Sequence, residues 1–446
     1  MAFTGFADRA ATIQRDMDTT IREFRPRKAR TLATFESGRS KLAGMAGITI
    51  PYWPAHAHGG GTVSPITGDT SYRKSIKQTA KAMFAGLAYR YMNIYLEATV
   101  LKDMENGKIN DSYIQERRRR IDTYLMEKNW AAIGDGTGTI AVSGASPVAG
   151  TTVTLLADNS ARGTSKGAYR LQVSTIADPI WYSAIDPALD TEQARFFVTA
   201  KLTETTVTVD FTGGVGLITD VDAGDKIVDF RYGWKKEIIG IGGHISDQNR
   251  IYQGADTSVD TFLKNPVVDA ASTAVTPTMI DAAKNIAMTR ANNLDARNGL
   301  IAHLTPGNWS TLSAFGYSQR QYQAADGKAQ TTFGLPDTYK DGDTVFVPDP
   351  DYEDCFIDIR ERAPYFEYTQ TPFQKKVTGN VSRFQFQGTN NAGSSEEYEN
   401  YIENTNIVWD GRGMNGDRVG GGGSPNSAVF IKSIALPSVR QSIYGI

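Results

Sequence analysis

Between Thr139 and Ile245 the sequence almost loses its helix signals, and this stretch limits the possible folds more than any other feature. Short runs rich in β-branched and aromatic residues (TTVTLLA, YRLQVST, ARFFVTAKL, TTVTVDF and DKIVDFRYGW) are separated by clusters of turn formers. Runs of that length, spaced about 8–15 residues apart, predict a β-rich module of roughly six to eight strands. Forty-three glycines in 446 residues, many beside these runs, provide the turns.

A long helix is expected just before the module. Asn110, Asp111 or Ser112 can cap it, and Ile114, Ile121, Tyr124, Leu125 and Trp130 recur near a period of 3.6. Running to about Ile133, it would span roughly 36 Å at about 1.5 Å per residue. Gly134-Asp135-Gly136-Thr137-Gly138 is a strong stop.

The flanks differ in kind. Phe6, Ala10, Ile13, Met17, Ile21 and Phe24 line one face of an amphipathic N-terminal helix that Pro26 ends. Residues 45–75 are rich in Gly, Pro, His and Thr without helical period, the mark of an extended or functional loop. Between 76 and 100 the alternation permits strand, and helix over 78–104 also stays open. Downstream, Thr278 and Asp281 form a capping-box-like start to a helix over 278–294. Leu300–Leu304 reads as an apolar strand, and Thr305-Pro306 opens a helix through Phe315. Further strands at 344–348 and 355–359 complete a compact α+β domain, and the tail from 377 to 446 is again strand-like.

The net charge is -2, so the chain as a whole has no basic excess to grip nucleic acid. The distribution is uneven. Residues 1–45 hold nine Lys/Arg, among them Arg25, Arg27, Lys28 and Arg30, against five acids. Residues 341–362 hold eight acids against two arginines. Two solvated surfaces would explain this, as would a basic arm meeting an acidic surface on a neighbouring copy. One cysteine, Cys355, excludes an internal disulfide framework and fits a reducing cytoplasm. Its acidic neighbours disfavour a reactive thiolate. The N-terminus lacks the pattern of a signal peptide, and no apolar run reaches the roughly 18 residues of a membrane span.

No motif assembles a catalytic site. Gly163-Thr164-Ser165-Lys166-Gly167 matches a nucleophile elbow as a string, but strand-like residues follow where a helix is required. His56 and His58 would share a strand face, yet His244 and His303 are the only other histidines, too few for a zinc site. Asp220–Asp225 places its glycine one position early for a calcium loop and reads as a β-turn. Arg117–Arg120 surround a helical turn and form no flat patch. Neither an enzyme nor a cofactor or metal is expected.

The helix-to-loop passage NWAAIGDGTGTIA (129–141) and the strand–helix passage GLIAHLTPGNWSTLSAF (299–315), with the order of segments around them, resemble the major capsid proteins of tailed bacteriophages. The resemblance implies an α+β chain of the Hong Kong 97-type fold. Residues 1–45 would be the N-terminal arm, 46–108 the extended E-loop region, and 109–138 the spine helix of the peripheral domain. Residues 139–245 would be an enlarged peripheral sheet or an inserted module. Residues 246–376 would be mainly the axial domain, and 377–446 C-terminal strands returning to both.

It also implies a structural role in the virion, assembled in the host cytoplasm. Copies of the chain would form hexamers and pentamers around double-stranded DNA, with only weak non-specific contact to it. Scaffolding, portal and cement proteins would be further partners, and a membrane would not. Candidate inter-subunit residues are Phe6, Ile13, Met17, Ile21, Phe24, Arg25, Arg27, Lys28, Arg30, Tyr52 and Trp53. The alternatives are an encapsulin-like shell, a tail component, or a β-rich carbohydrate binder using Tyr52, Trp53, Trp181 and Tyr182.

Overall fold

The computed structural model describes residues 29–39, 47–52, 81–97, 112–144, 151–157, 168, 170–203, 205–230, 233–290, 300–320, 340–341, 344–361, 365–375, 385–388, 395–409 and 428–435. A 3₁₀ turn at Leu32–Thr34 leads into β1 (Glu36–Arg39), followed by β2 (Gly47–Tyr52), β3 (Lys81–Gly86) and β4 (Ala88–Glu97). β2 and β3 pair antiparallel from Gly47↔Gly86 to Tyr52↔Lys81, so residues 53–80 connect the far ends of a hairpin. Of the stretch that permitted either helix or strand, the described residues 81–97 fall in two strands. On β4, Ala88, Arg90 and Met92 are buried while Tyr89 and Tyr91 are exposed, the period of two that a one-sided strand requires.

Helix α1 (Ser112–Ile133) matches the expected long helix and its stop. Gly134 N–H closes the last turn on Trp130 C=O at 3.0 Å. Gly136 and Gly138 then take φ of +89° and +80°, where a side chain would strain the backbone. The buried stripe differs from the expected one: Tyr124 is buried but Leu125 is exposed, and Lys128, Asn129 and Ala131–Ile133 go inside instead. The helix packs through a polar second half, which apolar periodicity alone overlooks.

Six strands then close into a barrel: β5 (Thr139–Ser143), β6 (Thr152–Ala157), β7 (Tyr182–Asp186), β8 (Thr191–Lys201), β9 (Thr206–Val215) and β10 (Lys226–Asp229). Their order around the barrel is β10-β5-β6-β9-β8-β7. Ala194, Phe196 and Val198 point inward from β8 and meet Val207 and Val209 from β9, filling a core separate from the rest of the chain. Four ladder irregularities, one each in β10–β5 and β7–β8 and two in β8–β9, give the bends that closure needs. The expected strand YRLQVST is absent, because 171–175 makes only isolated bridges at Val173 and Thr175. The first and last strands are neighbours, with Thr139 opposite Val228.

The chain returns from the barrel across the end of α1, where Lys235 N–H donates to Thr137 C=O at 2.8 Å. A Cβ on Gly240 would lie 2.4 Å from both the Ala131 and Ala132 carbonyl oxygens, so only glycine can cross there. Next come α2 (Ile241–His244), the small hairpin β11 (Ile251–Tyr252) and β12 (Ala255–Asp256), β13 (Val267–Asp269), α3 (Pro277–Arg290), β14 (Leu300–Leu304) and α4 (Pro306–Arg320). The start of α3 corrects the expected cap: Thr276 Oγ1 accepts from Met279 N–H at 3.4 Å, and Pro277 opens the helix. Helix α4 runs past Phe315 to Arg320, with Gly316 in its interior weakening it without ending it.

β15 (Lys340–Asp341), β16 (Thr344–Pro348), β17 (Ile357–Glu361), β18 (Tyr365–Lys375), β19 (Gln385–Gly388), β20 (Ser395–Trp409) and β21 (Val429–Lys432) follow. They complete two sheets. One has the order β13-β21-β17-β14-β16-β15, with α3 and α4 packed on it through Ile280, Ala283, Ala287, Trp309 and Leu312. In the other, β20 pairs with β18, β19 and β4, and β1 joins β18 in parallel. β14 is buried throughout, Leu300, Ala302 and Leu304 lying in the helix-side core. His303 turns the other way and stacks on Tyr352.

Candidate functional site

The polar chemistry concentrates at two junctions, one at the first described residues and one at the β2–β3 hairpin. The first root is Ala29–Phe35. Thr31 N–H and Oγ1–H both donate to Asp349 Oδ2, at 3.0 and 2.6 Å. Leu32 N–H donates to Asn129 Oδ1 at 2.9 Å, and Asn129 Nδ2 donates to Asp349 Oδ2 at 3.0 Å. Thr34 Oγ1 donates to Thr31 C=O at 2.7 Å and accepts from Arg360 Nη2 at 2.8 Å. Its proton is therefore committed, so His303 Nε2 at 3.1 Å is the donor, which fixes the Nε2–H tautomer. The Arg360 guanidinium lies over the Phe35 ring at 4.4 Å.

This arrangement revises the reading of the acidic run. Asp349, Asp351, Glu353, Asp354 and Asp358 are buried, so they form neither a solvated face nor a surface for a neighbouring copy. Within the same chain Asn129 Nδ2 donates to the Asp349 and Asp351 carboxylates, Arg170 lies 3.9 Å from Glu353, and the Asp351 and Asp354 carbonyls accept from Arg170 and Asn308 Nδ2. Glu361, at the end of the run, is partly buried, and desolvation raises its carboxyl to about 7.

The second root is the base of the β2–β3 hairpin. Phe84 N–H donates to Gln253 C=O at 2.6 Å, fastening the hairpin to the β11–β12 turn. Lys81 Nζ pairs with Asp260 at 2.7 Å, the carboxylate much more buried than the ammonium. Ile48, Ile50, Met83 and Ala85 enter the core that also holds Ala132, Ile133 and Ile241. Behind the root, His244 is fully enclosed. Its Nε2–H donates to Ile407 C=O at 3.0 Å, and its Nδ1 accepts from Tyr252 O–H at 2.9 Å. Burial first, then the positive charge of Arg250, lowers its pKa to about 3.

One buried ion pair ties α1 to the β4–β18–β20 sheet, and a second ties β4 to the segment returning from the barrel. Lys128 Nζ meets Glu367 Oε1 at 2.5 Å, and Thr405 Oγ1–H donates to the same oxygen at 3.1 Å. Arg90 meets Glu237 Oε1 at 2.6 Å and lies 5.3 Å from the centre of the Tyr124 ring.

Of the residues expected at subunit contacts, Phe6, Ile13, Met17, Ile21, Phe24, Arg25, Arg27, Lys28 and Trp53 lie outside the described residues. Arg30 is exposed, and its Nη1 donates to Pro348 C=O of the same chain at 2.8 Å. Tyr52 ends β2 opposite Lys81. Of the aromatics considered for sugar binding, Trp181 and Tyr182 form no open platform. Tyr182 is 2% exposed and its hydroxyl accepts from Gln172 N–H, while Trp181 packs on Gly213, Gly214 and the edge of Phe197. The GTSKG string and His56 and His58 lie outside the described residues. Sequence reading missed Asn129, Thr31 and His244, whose roles depend on partners distant in sequence. The polar run Glu127-Lys128-Asn129 just before the helix stop was the available signal.

A helix-bearing sheet, a second sheet crossed by one long helix, a rooted hairpin and a rooted N-terminal segment define a class: the chain has the Hong Kong 97-type capsid fold. It is similar to the cyanophage A-1(L) capsid at 10% identity, covering 94% of this chain and 95% of that one, with a TM-score of 0.51. The native GTA particle capsid follows at 8% identity, 94% of each chain and a TM-score of 0.46. The SrpI encapsulin of Synechococcus elongatus PCC 7942 gives 8% identity, all of both chains and 0.40. The fold assignment rests on the first of these. No protein-family model and no curated protein matches the chain.

Proposed function

We propose that this chain is the major capsid protein of a tailed phage, forming hexamers and pentamers of an icosahedral shell around double-stranded DNA. The observation that carries this reading is the end-to-end likeness to a shell subunit, covering 94% of the chain, together with two segments rooted at their bases. A subunit that must touch many neighbours reaches them with arms and loops anchored on a rigid body. In this reading residues 1–45 are the arm and the β2–β3 hairpin is the base of the E-loop within 46–108. Helix α1 is the spine, the β4–β18–β20 sheet is peripheral, and the β14 sheet with α3 and α4 is axial. The barrel is an inserted module, since it encloses its own core and begins and ends on adjacent strands. Scaffolding, portal and cement proteins are the partners such a shell calls for. DNA contact is weak and non-specific, in keeping with a net charge of -2.

Electron microscopy of the purified chain at neutral pH, with and without a co-expressed scaffold, tests this. Capsomers or closed shells are expected. Rings stacking into tubes would make it a tail component, and a strict monomer at high concentration would overturn the shell reading.

A further inference from the structure

Thr31, Asn129 and Asp349 each have no more than 0% exposure, yet none is apolar. Asn129 uses both ends of its amide: Oδ1 takes Leu32 N–H, and Nδ2 gives to Asp349 Oδ2 at 3.0 Å and to Asp351 Oδ2 at 3.4 Å. Asp349 Oδ1 takes Asp351 N–H at 2.9 Å, so that carboxylate is held from its own loop while its other oxygen faces the N-terminal root.

Neither obvious replacement does this work. An aspartate at 129 could accept from Leu32 but would set a third carboxylate against Asp349 and Asp351. A leucine would fill the space but strand the Leu32 amide and leave Asp349 Oδ2 with its two Thr31 donors alone. Cohesion alone is served about as well by apolar side chains of similar shape. What the amide adds is direction. Two successive backbone N–H groups are assigned to two different acceptors, Thr31 to Asp349 and Leu32 to Asn129, and a slip of one residue breaks both assignments.

We propose that Asn129 is a positioning residue for assembly: with Asp349 it fixes, within the same subunit, the origin from which the N-terminal arm extends. The residues before Ala29 are then the part delivered to a neighbouring copy, while Ala29–Phe35 remains with its own spine helix. This role rests on the shell reading above.

The test compares full-length wild type with Asn129→Ala and, as a variant that leaves the helix untouched, Thr31→Val. Hydrogen exchange is followed in the segment 29–35 and, as a control on folding, in barrel strands β8 and β9. Particles are imaged in parallel. Loss of these bonds should speed exchange at Thr31 and Leu32 roughly ten- to hundredfold. Barrel exchange should be unchanged, and uniform shells should give way to irregular or open ones. Unchanged protection at Thr31 and Leu32 would overturn the junction. Faster exchange with shells of wild-type size and yield would overturn the assembly role alone. Wild-type chain that forms no particles would refute the shell reading and this role together.

Discussion

Protonating His244 should make the subunit acid-labile by a calculable amount. The ring is 2% exposed, its two nitrogens are committed to Ile407 and Tyr252, and Arg250 and Arg360 both oppose a positive charge there. Its pKa is near 3 in the folded chain, against about 6.5 for an unperturbed histidine. The unfolded chain therefore binds the proton first. The contribution is fully present above pH 6.5 and is lost as pH falls from there towards 3. At about 1.4 kcal/mol per pH unit, going from pH 7.5 to pH 5 costs about 2 kcal/mol, and the full loss, below pH 3, is about 5 kcal/mol.

The assay is urea unfolding of the unassembled subunit at both pH values, for wild type and for His244→Gln. Glutamine can donate to Ile407 and accept from Tyr252 but does not titrate. Wild type should lose about 2 kcal/mol more than the variant between pH 7.5 and pH 5. An equal loss in both would refute the reasoning, because the acid response would then arise elsewhere.

Glu361 should act in the opposite sense: its folded pKa of about 7 lies above the ordinary 4.5, so its carboxylate weakens the fold as pH rises through that window. Glu361→Gln should stabilise the subunit at pH 8 and leave it unchanged at pH 4, measured by thermal unfolding. Glu367→Gln should be costly, because it leaves the buried Lys128 ammonium without its charge partner. A loss of about 3–5 kcal/mol in urea unfolding is expected, and one below about 1 kcal/mol would show the pair to be dispensable.

Local chemistry was readable in the sequence. The end of α1 at Gly134, the barrel as a strand-rich module and the Leu300–Leu304 strand all follow from turn formers and periodicity acting over a few residues. Long-range assignments were not. Eight acids in 22 residues look like a surface until the fold places Thr31, Asn129, Arg170 and Asn308 beside them. Composition cannot reveal that the Asp349 carboxylate is satisfied by Thr31 and Asn129, 318 and 220 residues away. The helix stripe was misjudged for the same reason: Lys128 goes inside because β18 supplies Glu367, and Leu125 stays out. The cap of α3 slipped by two residues because Thr276 and Thr278 are equivalent by type, and only the observed helix start separates them.

Thr139 and Val228 face each other across one ladder, so everything between them occupies a socket about 5 Å wide at its mouth. A lineage could enlarge, trim or exchange the tenant of that socket without altering the helix and sheets on which it is seated. A foreign domain with similarly close ends could be grafted there in its place.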